Sequence, residues 1–172
     1  MTPIIRRTFL AAVAVAPISH VALVYAVDAL PDARFVGFAE TVNDFEIKSG
    51  QLALTKSSNE LVRAYATRAI AECTTNAEYL VRNRNEAGVT MAPDEDVRKI
   101  ADDAMARLNS LQGAAFDTAF ADAQLRVQTA AVAQYGAFSQ NGNDGSLRRH
   151  AERSLPQMQS LLQDAKKLAG SR

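Results

Sequence analysis

The chain has 172 residues, of which 48% are apolar and 22% charged, so its composition favours one globular domain and excludes intrinsic disorder. Its formal net charge of +0 excludes the strongly basic surface that is typical of nucleic-acid-binding proteins. Frequent alanine favours helices over sheets, and no segment alternates apolar and polar residues as a strand would.

Residues 1–26 are predicted to be an export signal peptide. Arg6 and Arg7 precede an apolar run, and Val24-Tyr25-Ala26 forms a small-x-small cleavage site. The paired arginines match a twin-arginine signal, which exports folded proteins, and an ordinary secretory signal that happens to carry two arginines is the alternative. Pro17 and His20 interrupt the apolar run, which disfavours an uncleaved membrane anchor.

Residues 27–172 are therefore predicted to form a single domain in the periplasm, with association to the outer membrane as the alternative. Loss of Arg6 and Arg7 leaves 17 basic residues, from 19 − 2, against 19 acidic residues, a charge of −2. Cys73 is the only cysteine, so the domain cannot form an internal disulfide. We interpret Cys73 as a small buried apolar residue, with a reactive thiol as the alternative.

The first two predicted helices are joined by a short polar turn at residues 56–59. The first begins at Pro31-Asp32, where proline suits the first turn. Its apolar seam recurs at steps of three and four and consists of Phe35, Phe38, Val42, Phe45, Ser49 and Leu52. Ser58 or Asn59 is expected to cap the second helix, over 60–85, and Gly88 to end it. The buried stripe of that helix is predicted to contain Val62, Ala66, Ala69, Cys73 and Leu80, widened by Leu61, Tyr65 and Ile70.

Three further helices are predicted at residues 94–111, 115–140 and 146–168. The first of these is short and carries Val97, Ile100, Ala104 and Leu108 on one side. The next has a long seam made of Phe116, Phe120, Ala123, Val127, Ala131, Tyr135 and Phe138. The last presents Leu147, Ala151, Leu155, Met158, Leu162 and Ala165 inward. Pro156 within it is expected to kink or split the helix, and the Asn- and Gly-rich residues 141–145 to form a turn.

Four long amphipathic helices and short connections predict an all-α antiparallel four-helix bundle. The short helix at 94–111 is expected to bridge the second and fourth helices as an extra element. Its Asp102-Asp103 pair is interpreted as a solvated face, because neighbouring helical residues point in different directions.

Two titratable residues are candidates for chemistry. Glu46, on the Phe-rich seam, could be a buried carboxyl group with a raised pKa in a small polar pocket. We favour a boundary position, with its head near solvent or a lysine such as Lys48 or Lys56, because an unpaired buried charge is costly. His150 lies in a basic cluster with arginines that could touch anionic lipid or an acidic partner, and we favour a solvated helix face.

Three stretches of the chain resemble an exported bacterial family called domain of unknown function 4142. They are FEIKSGQLALTKSSNELVRAYATRAIAE from Phe45, LQGAAFDTAFADAQ from Leu111, and the Leu155-Pro156 step. The resemblance covers about residues 35–168 and implies a ferritin-like helical bundle with no established general activity.

Members of that family often carry a glutamate on the first long helix and a histidine on each of the other long helices. Glu46 matches the first position, whereas the histidine positions fall on Cys73, Gln128 and Leu161. Cys73 could bind a soft metal, Gln128 is a poor ligand, and Leu161 cannot be one. The resemblance therefore implies that this member has lost most of any metal site.

The motifs of common enzyme classes are missing from the sequence. A carboxylate-bridged di-iron centre needs Glu-x-x-His twice, and the sequence contains no such motif. It also lacks a P-loop and a dinucleotide-binding fingerprint.

We therefore expect a non-enzymatic envelope protein, without a cofactor, that binds or protects a small ligand or an envelope protein. Nucleic acid is not an expected partner, and membrane contact is expected only through an uncleaved signal. One alternative is a metal-binding or redox protein that uses Glu46, Cys73 and Gln128. Another is a small-molecule binder with its site in the bundle interior.

Overall fold

The computed structural model describes residues 27–171, and these form five helices without a strand. The predicted signal peptide therefore lies outside the described residues. The helices, in chain order, are α1 (Asp32–Lys56), α2 (Glu60–Ala87), α3 (Glu95–Ser110), α4 (Gly113–Asn141) and α5 (Gly145–Gly170). The all-α prediction is confirmed, and each predicted helix is present.

Local hydrogen bonds explain where several of the helices begin and end. The Asn59 side chain accepts from the backbone N–H of Leu61 at 2.9 Å and caps α2. Gly88 ends α2 with a φ of 65°, a left-handed conformation that glycine adopts without steric cost. The Asp144 side chain caps α5 by accepting from the backbone N–H groups of its first turn. These short-range signals are present in the sequence, which is why the helix boundaries could be predicted.

The helices α1, α2, α4 and α5 pack around a common core, and α3 lies against α1 and α4. α1 packs extensively on α2, α4 on α5, and α2 also on α5. The apolar seams of these helices are buried, including Phe35, Phe45, Phe116 and Phe138. Within residues 27–171, no helix is both long enough and apolar enough to cross a membrane.

Side chains of α1 hold both ends of α3. At its start, Arg34 pairs with Asp94, the capping residue of α3, at 2.5 Å. At its end, the Lys56 ammonium donates to the carbonyl groups of Leu108, Asn109 and Leu111 at 3.1, 2.7 and 3.1 Å. A cation at the carboxyl end of a helix meets both unpaired carbonyl groups and the negative end of the helix dipole. α3 is therefore fixed along α1.

Three details of the predicted helices are corrected. Leu61 and Ile100, which we placed on buried faces, are 56% and 38% exposed. Both lie at the edge of their apolar stripes, where burial depends on a neighbouring helix. Pro156 does not split α5, which runs without a break from Gly145 to Gly170. Pro156 is exposed, so water can pair with the carbonyl group that loses its helical hydrogen bond.

Candidate functional site

The interior contains two groups of buried polar side chains at helical spacing. On α1, Asn43, Glu46 and Ser49 recur every three residues and share the buried face. We define the Glu46 cluster by its six members, which are Glu46, Ser49, Tyr65, Cys73, Gln124 and Gln128. We define the Asn76 cluster by its four members, which are Asn43, Asn76, Tyr135 and Ser154.

Glu46 is fully buried, so its expected position at the solvent boundary is wrong. Neither lysine that was expected to meet it does so. Lys48 pairs with Asp44 at 2.8 Å, and Lys56 is engaged with the end of α3. Burial raises the pKa of Glu46 from 4.5 to about 8, while Gln128 and the Tyr65 hydroxyl lower it. The carboxyl group is therefore mostly protonated at neutral pH.

The Gln124 side chain makes the closest polar contact with Glu46. One end of its amide lies 2.6 and 2.9 Å from the two carboxyl oxygens, and the other end lies 2.9 Å from the Ser49 hydroxyl. When Glu46 is ionised, the amide nitrogen must face it and donate to both oxygens. When Glu46 is protonated, its O–H can donate to the amide oxygen, and the nitrogen then donates to Ser49. The orientation of Gln124 thus follows the protonation state of Glu46.

Tyr65 joins the Glu46 cluster from α2. Its hydroxyl donates to Glu46 Oε2 at 3.4 Å, and it lies 3.3 Å from the Gln124 amide. The Tyr65 ring packs edge-on against Phe120, with ring centres 5.8 Å apart. The polar groups that contact Glu46 are therefore uncharged, and the rings of Tyr65 and Phe120 lie beside them. This environment favours the neutral form of the carboxyl group.

Gln128 is fully buried, and neither its amide nitrogen nor its amide oxygen has a hydrogen-bond partner among residues 27–171. Its dipole lowers the pKa of Glu46, so the amide lies close to the carboxyl group without reaching hydrogen-bond geometry. Buried polar atoms without partners are uncommon, because each costs about 1–3 kcal/mol. Gln128 is therefore the least satisfied member of the Glu46 cluster.

Cys73 is fully buried, as predicted for a small apolar residue. Burial raises the pKa of its thiol well above the ordinary value, and the nearby Glu46 and Glu72 carboxyl groups raise it further. A thiolate is the nucleophilic and metal-binding form, so the thiol is unreactive in this environment.

Of the four positions at which the family often carries Glu or His, the structure brings only Glu46, Cys73 and Gln128 close together. Cys73 and Gln128 both lie close enough to Glu46 to share its electrostatic environment, and Leu161 is a fully buried apolar residue. In the described part of the chain, no three histidine, cysteine, aspartate or glutamate side chains converge where they could hold a metal ion. The residues present do not fit a di-iron centre, because one carboxyl group, one thiol and one amide replace its ligands.

His150 is 2% exposed, so its predicted position on a solvated face is wrong. Its ring packs between Phe35 and Tyr135, with ring centres 6.4 and 5.9 Å away. Burial, and then the charge of Arg153, lower the pKa of His150 from 6.5 to about 4. Its place three residues after Leu147 and four before Ser154, both buried, is the sequence signal that could have found it.

The other charged candidates lie on the surface. Asp102 and Asp103 are exposed, as predicted for a solvated face. Arg149 pairs with Glu86 at 3.1 Å, and Arg153 donates to the Tyr79 hydroxyl at 2.7 Å. These arginines contact α2 and do not converge on one point.

The Asn76 cluster was not predicted from the sequence. Asn76 donates to Asn43 at 3.1 Å and to the Tyr135 hydroxyl at 3.2 Å, and it accepts from Ser154 at 2.6 Å. It links α1, α2, α4 and α5 in the core. The spacing of Asn43 from Glu46 was the available signal, but the partners on other helices could not be deduced from it.

Several open grooves lie on the outside of the helices. One of about 410 Å³ runs between α1 and α3; its lining includes Thr41, Asp44, Phe45, Asp102 and Met105. Three others have volumes of about 310, 300 and 230 Å³. None of these four grooves is lined by Glu46 or Gln128.

Comparison with known proteins gives one match. The family model described as Domain of unknown function (DUF4142) matches residues 23–168. No curated protein and no solved structure matches the chain.

Proposed function

The chain belongs to the DUF4142 family, and from this premise we propose that it is a non-enzymatic, exported binding or protective protein of the bacterial cell envelope. One observation carries the proposal. Glu46 and Cys73, two of the three titratable members of the Glu46 cluster, are fully buried, and their neutral forms are favoured. A general base or nucleophile must reach a substrate in its reactive form, and these two groups do neither.

The proposal includes a ferritin-like architecture for the domain. α1, α2, α4 and α5 would form the antiparallel four-helix bundle, and α3 would lie within the long crossover between α2 and α4. The packing of α1 on α2, of α4 on α5 and of α2 on α5 supports this arrangement.

Ligand binding is proposed at the groove between α1 and α3. Phe45 and Met105 give this groove apolar surface, while Asp44, Lys48 and Asp102 give it both signs of charge. Its volume of about 410 Å³ lies within the range of small-molecule sites. The exported location is a part of the proposal that rests on the predicted signal peptide and on the family.

A second candidate function is metal binding by Glu46, Cys73 and Gln128. The observation that favours it is the Gln128 amide, whose oxygen is buried without a partner beside the Glu46 carboxyl group. A divalent cation there would need to displace the protons of Glu46 and Cys73, and the two resulting anions would balance its charge.

One experiment distinguishes the two functions. The protein is purified from the periplasm without chelator and examined by native mass spectrometry and elemental analysis. We expect no stoichiometric metal and a bound small molecule that the groove-filling variant Thr41→Trp loses. Ala106→Trp, on an exposed position of α3 outside the groove, is the matched control and should retain the ligand.

Two results would contradict the binding proposal. Stoichiometric metal that disappears in Cys73→Ala would establish the second candidate instead. A bound molecule that Thr41→Trp and Ala106→Trp retain equally would exclude the groove between α1 and α3 as its site.

A further inference from the structure

His150 is a buried titratable group that the proposed function leaves unused. Its two ring nitrogens are buried, and neither has a hydrogen-bond partner in the described residues 27–171. A neutral imidazole carries one donor and one acceptor, so both are left unsatisfied in the closed structure. Among residues 27–171, no hydrogen-bond acceptor reaches either ring nitrogen to stabilise a second proton.

The charges around His150 also oppose its protonation. On its own helix, Arg149 and Arg153 lie one residue before and three residues after it, and Arg153 acts directly on the ring. On α4, the nearest titratable group is the Tyr135 hydroxyl, and burial raises the pKa of Tyr135 so that it stays neutral.

The acidic groups of the neighbouring elements are engaged elsewhere. On α2, Glu86 pairs with Arg149, and the Tyr79 hydroxyl accepts from Arg153. On α1, Asp32 accepts from the backbone N–H of Asn143 at 3.1 Å, and Phe35 presents only its ring to His150. An imidazolium at this position would therefore be both desolvated and unpaired.

The segment that carries His150 follows the connection between α4 and α5. Residues 142–144 link α4 to α5; Gly142 is the first residue of this link, and Gly145 is the first residue of α5. In the first two turns of α5, His150 packs edge-on against Phe35, and the Phe35 ring stacks on Phe138 with ring centres 3.8 Å apart. Movement of these turns would bring the imidazole to water and expose that pair.

We propose that protonation of His150 opens the start of α5, residues 145–153, and makes the Phe35–Phe138 surface accessible in mild acid. Opening of this segment would also expose Leu147 and Ala151, which are as fully buried as Met158, Leu161 and Ala165 in the later part of α5. Protonation of His150 would thus link a fall in external pH to the exposure of the apolar Phe35–Phe138 surface. It does not depend on which ligand the groove between α1 and α3 holds.

Amide hydrogen exchange of the full chain at pH 7 and pH 5, corrected for intrinsic exchange rates, tests the proposal. With a ring pKa of about 4 when closed and 6.5 when open, the open fraction of residues 146–153 should rise about twentyfold between these pH values. His150→Leu replaces the ring with an apolar side chain that cannot titrate, and should abolish the rise. Asp103→Asn, an exposed substitution on α3, is the control and should leave the rise unchanged.

Two outcomes would overturn the proposal: no rise in the wild-type chain, or an equal rise in His150→Leu. A second measurement covers the case in which His150→Leu fails to fold. Titration of the His150 ring by nuclear magnetic resonance should give a midpoint well below 6.5 that coincides with faster exchange of residues 146–153. An ordinary midpoint near 6.5 without faster exchange would contradict the proposal.

Discussion

Glu46 retains its proton at neutral pH because helices α1, α2 and α4 enclose its carboxyl group without a cation. The nearest polar groups come from Tyr65, Gln124 and Gln128, all of them uncharged. Ionisation would place a charge in the core, and the two lysines close to it in sequence are held elsewhere. The protonation state of this one residue therefore influences the stability of the domain.

The first prediction concerns the pH dependence that Glu46 confers. Its folded pKa of about 8 lies above the ordinary 4.5, so between these values the folded state binds more protons than the unfolded state. Its contribution to stability is therefore complete below pH 4.5 and is lost as pH rises through 8, by up to ~1.4 kcal/mol per pH unit. Glu46→Gln, which cannot ionise, should remove this loss.

Urea denaturation at intervals from pH 5 to pH 8 provides the measurement. Asp44→Asn serves as the control, because Asp44 is exposed and lies only two residues away. It should keep the slope of the wild-type chain. If Glu46→Gln and the wild-type chain lose stability equally with rising pH, the carboxyl group is not protonated in the folded state.

At the scale of the helices, prediction from sequence succeeds where the deciding interactions are local. The cap at Asn59 and the left-handed Gly88 lie within a few residues of the helix ends that they set. Prediction fails where distant residues decide. The burial of Glu46 followed from partners on α2 and α4, and Lys56 was unavailable to it because it binds carbonyl groups some 50 residues later in the chain.

For His150 too, residues distant in the sequence decide its position, and prediction from the sequence fails. Neighbouring arginines suggested a solvated face, but its ring position on α5 is set by Phe35 and Tyr135. Glu46, Cys73 and Gln128 could be proposed as neighbours only through the family resemblance. The contacts of Gln124 and Tyr65 with Glu46 required the packing of three helices, which helical periodicity alone does not define.

The second prediction concerns the attachment of α3 to α1. Lys56→Met keeps the apolar stem of the side chain but removes the donors to three carbonyl groups. We expect a loss of about 1–3 kcal/mol and faster amide exchange in the last turn of α3. Lys99→Met, which removes an exposed pair with Asp103, is the comparison and should change neither quantity. Equal exchange in both variants would show that Lys56 does not fasten α3.

At the scale of the whole molecule, the connection between α2 and α3 packs directly on α1. The backbone N–H of Ala92 donates to the carbonyl of Ala33 at 2.9 Å, and a Cβ atom on Gly37 would lie 2.1 Å from the Ala92 carbonyl oxygen. Only glycine allows this approach of two backbones. The junction thereby joins the α1–α2 hairpin to α3.

The third prediction compares two helical glycines. Gly37→Ala should destabilise the domain by about 1–3 kcal/mol, because the backbone of residue 92 must move. Gly136→Ala meets nothing within 4 Å and lies inside α4, so it should stabilise the domain by about 0.5–1 kcal/mol. Thermal unfolding of both variants gives the comparison. A neutral or stabilising Gly37→Ala would mean that the connection does not press on α1.

Because α3 is attached to α1 at both ends, the distance between the two attachment points on α1 limits the length of α3. Arg34 fixes the start of α3 and Lys56 fixes its end, so the 16 residues of α3 must span a set distance. One inserted residue would turn everything beyond it by about 100° and lengthen the helix by ~1.5 Å. The buried side of α3 would then rotate away from α1 and α4 at one end. Changes in chain length can be accommodated at Thr90 and Met91, which are exposed, but not at Ala92, which packs on α1, or within α3 itself.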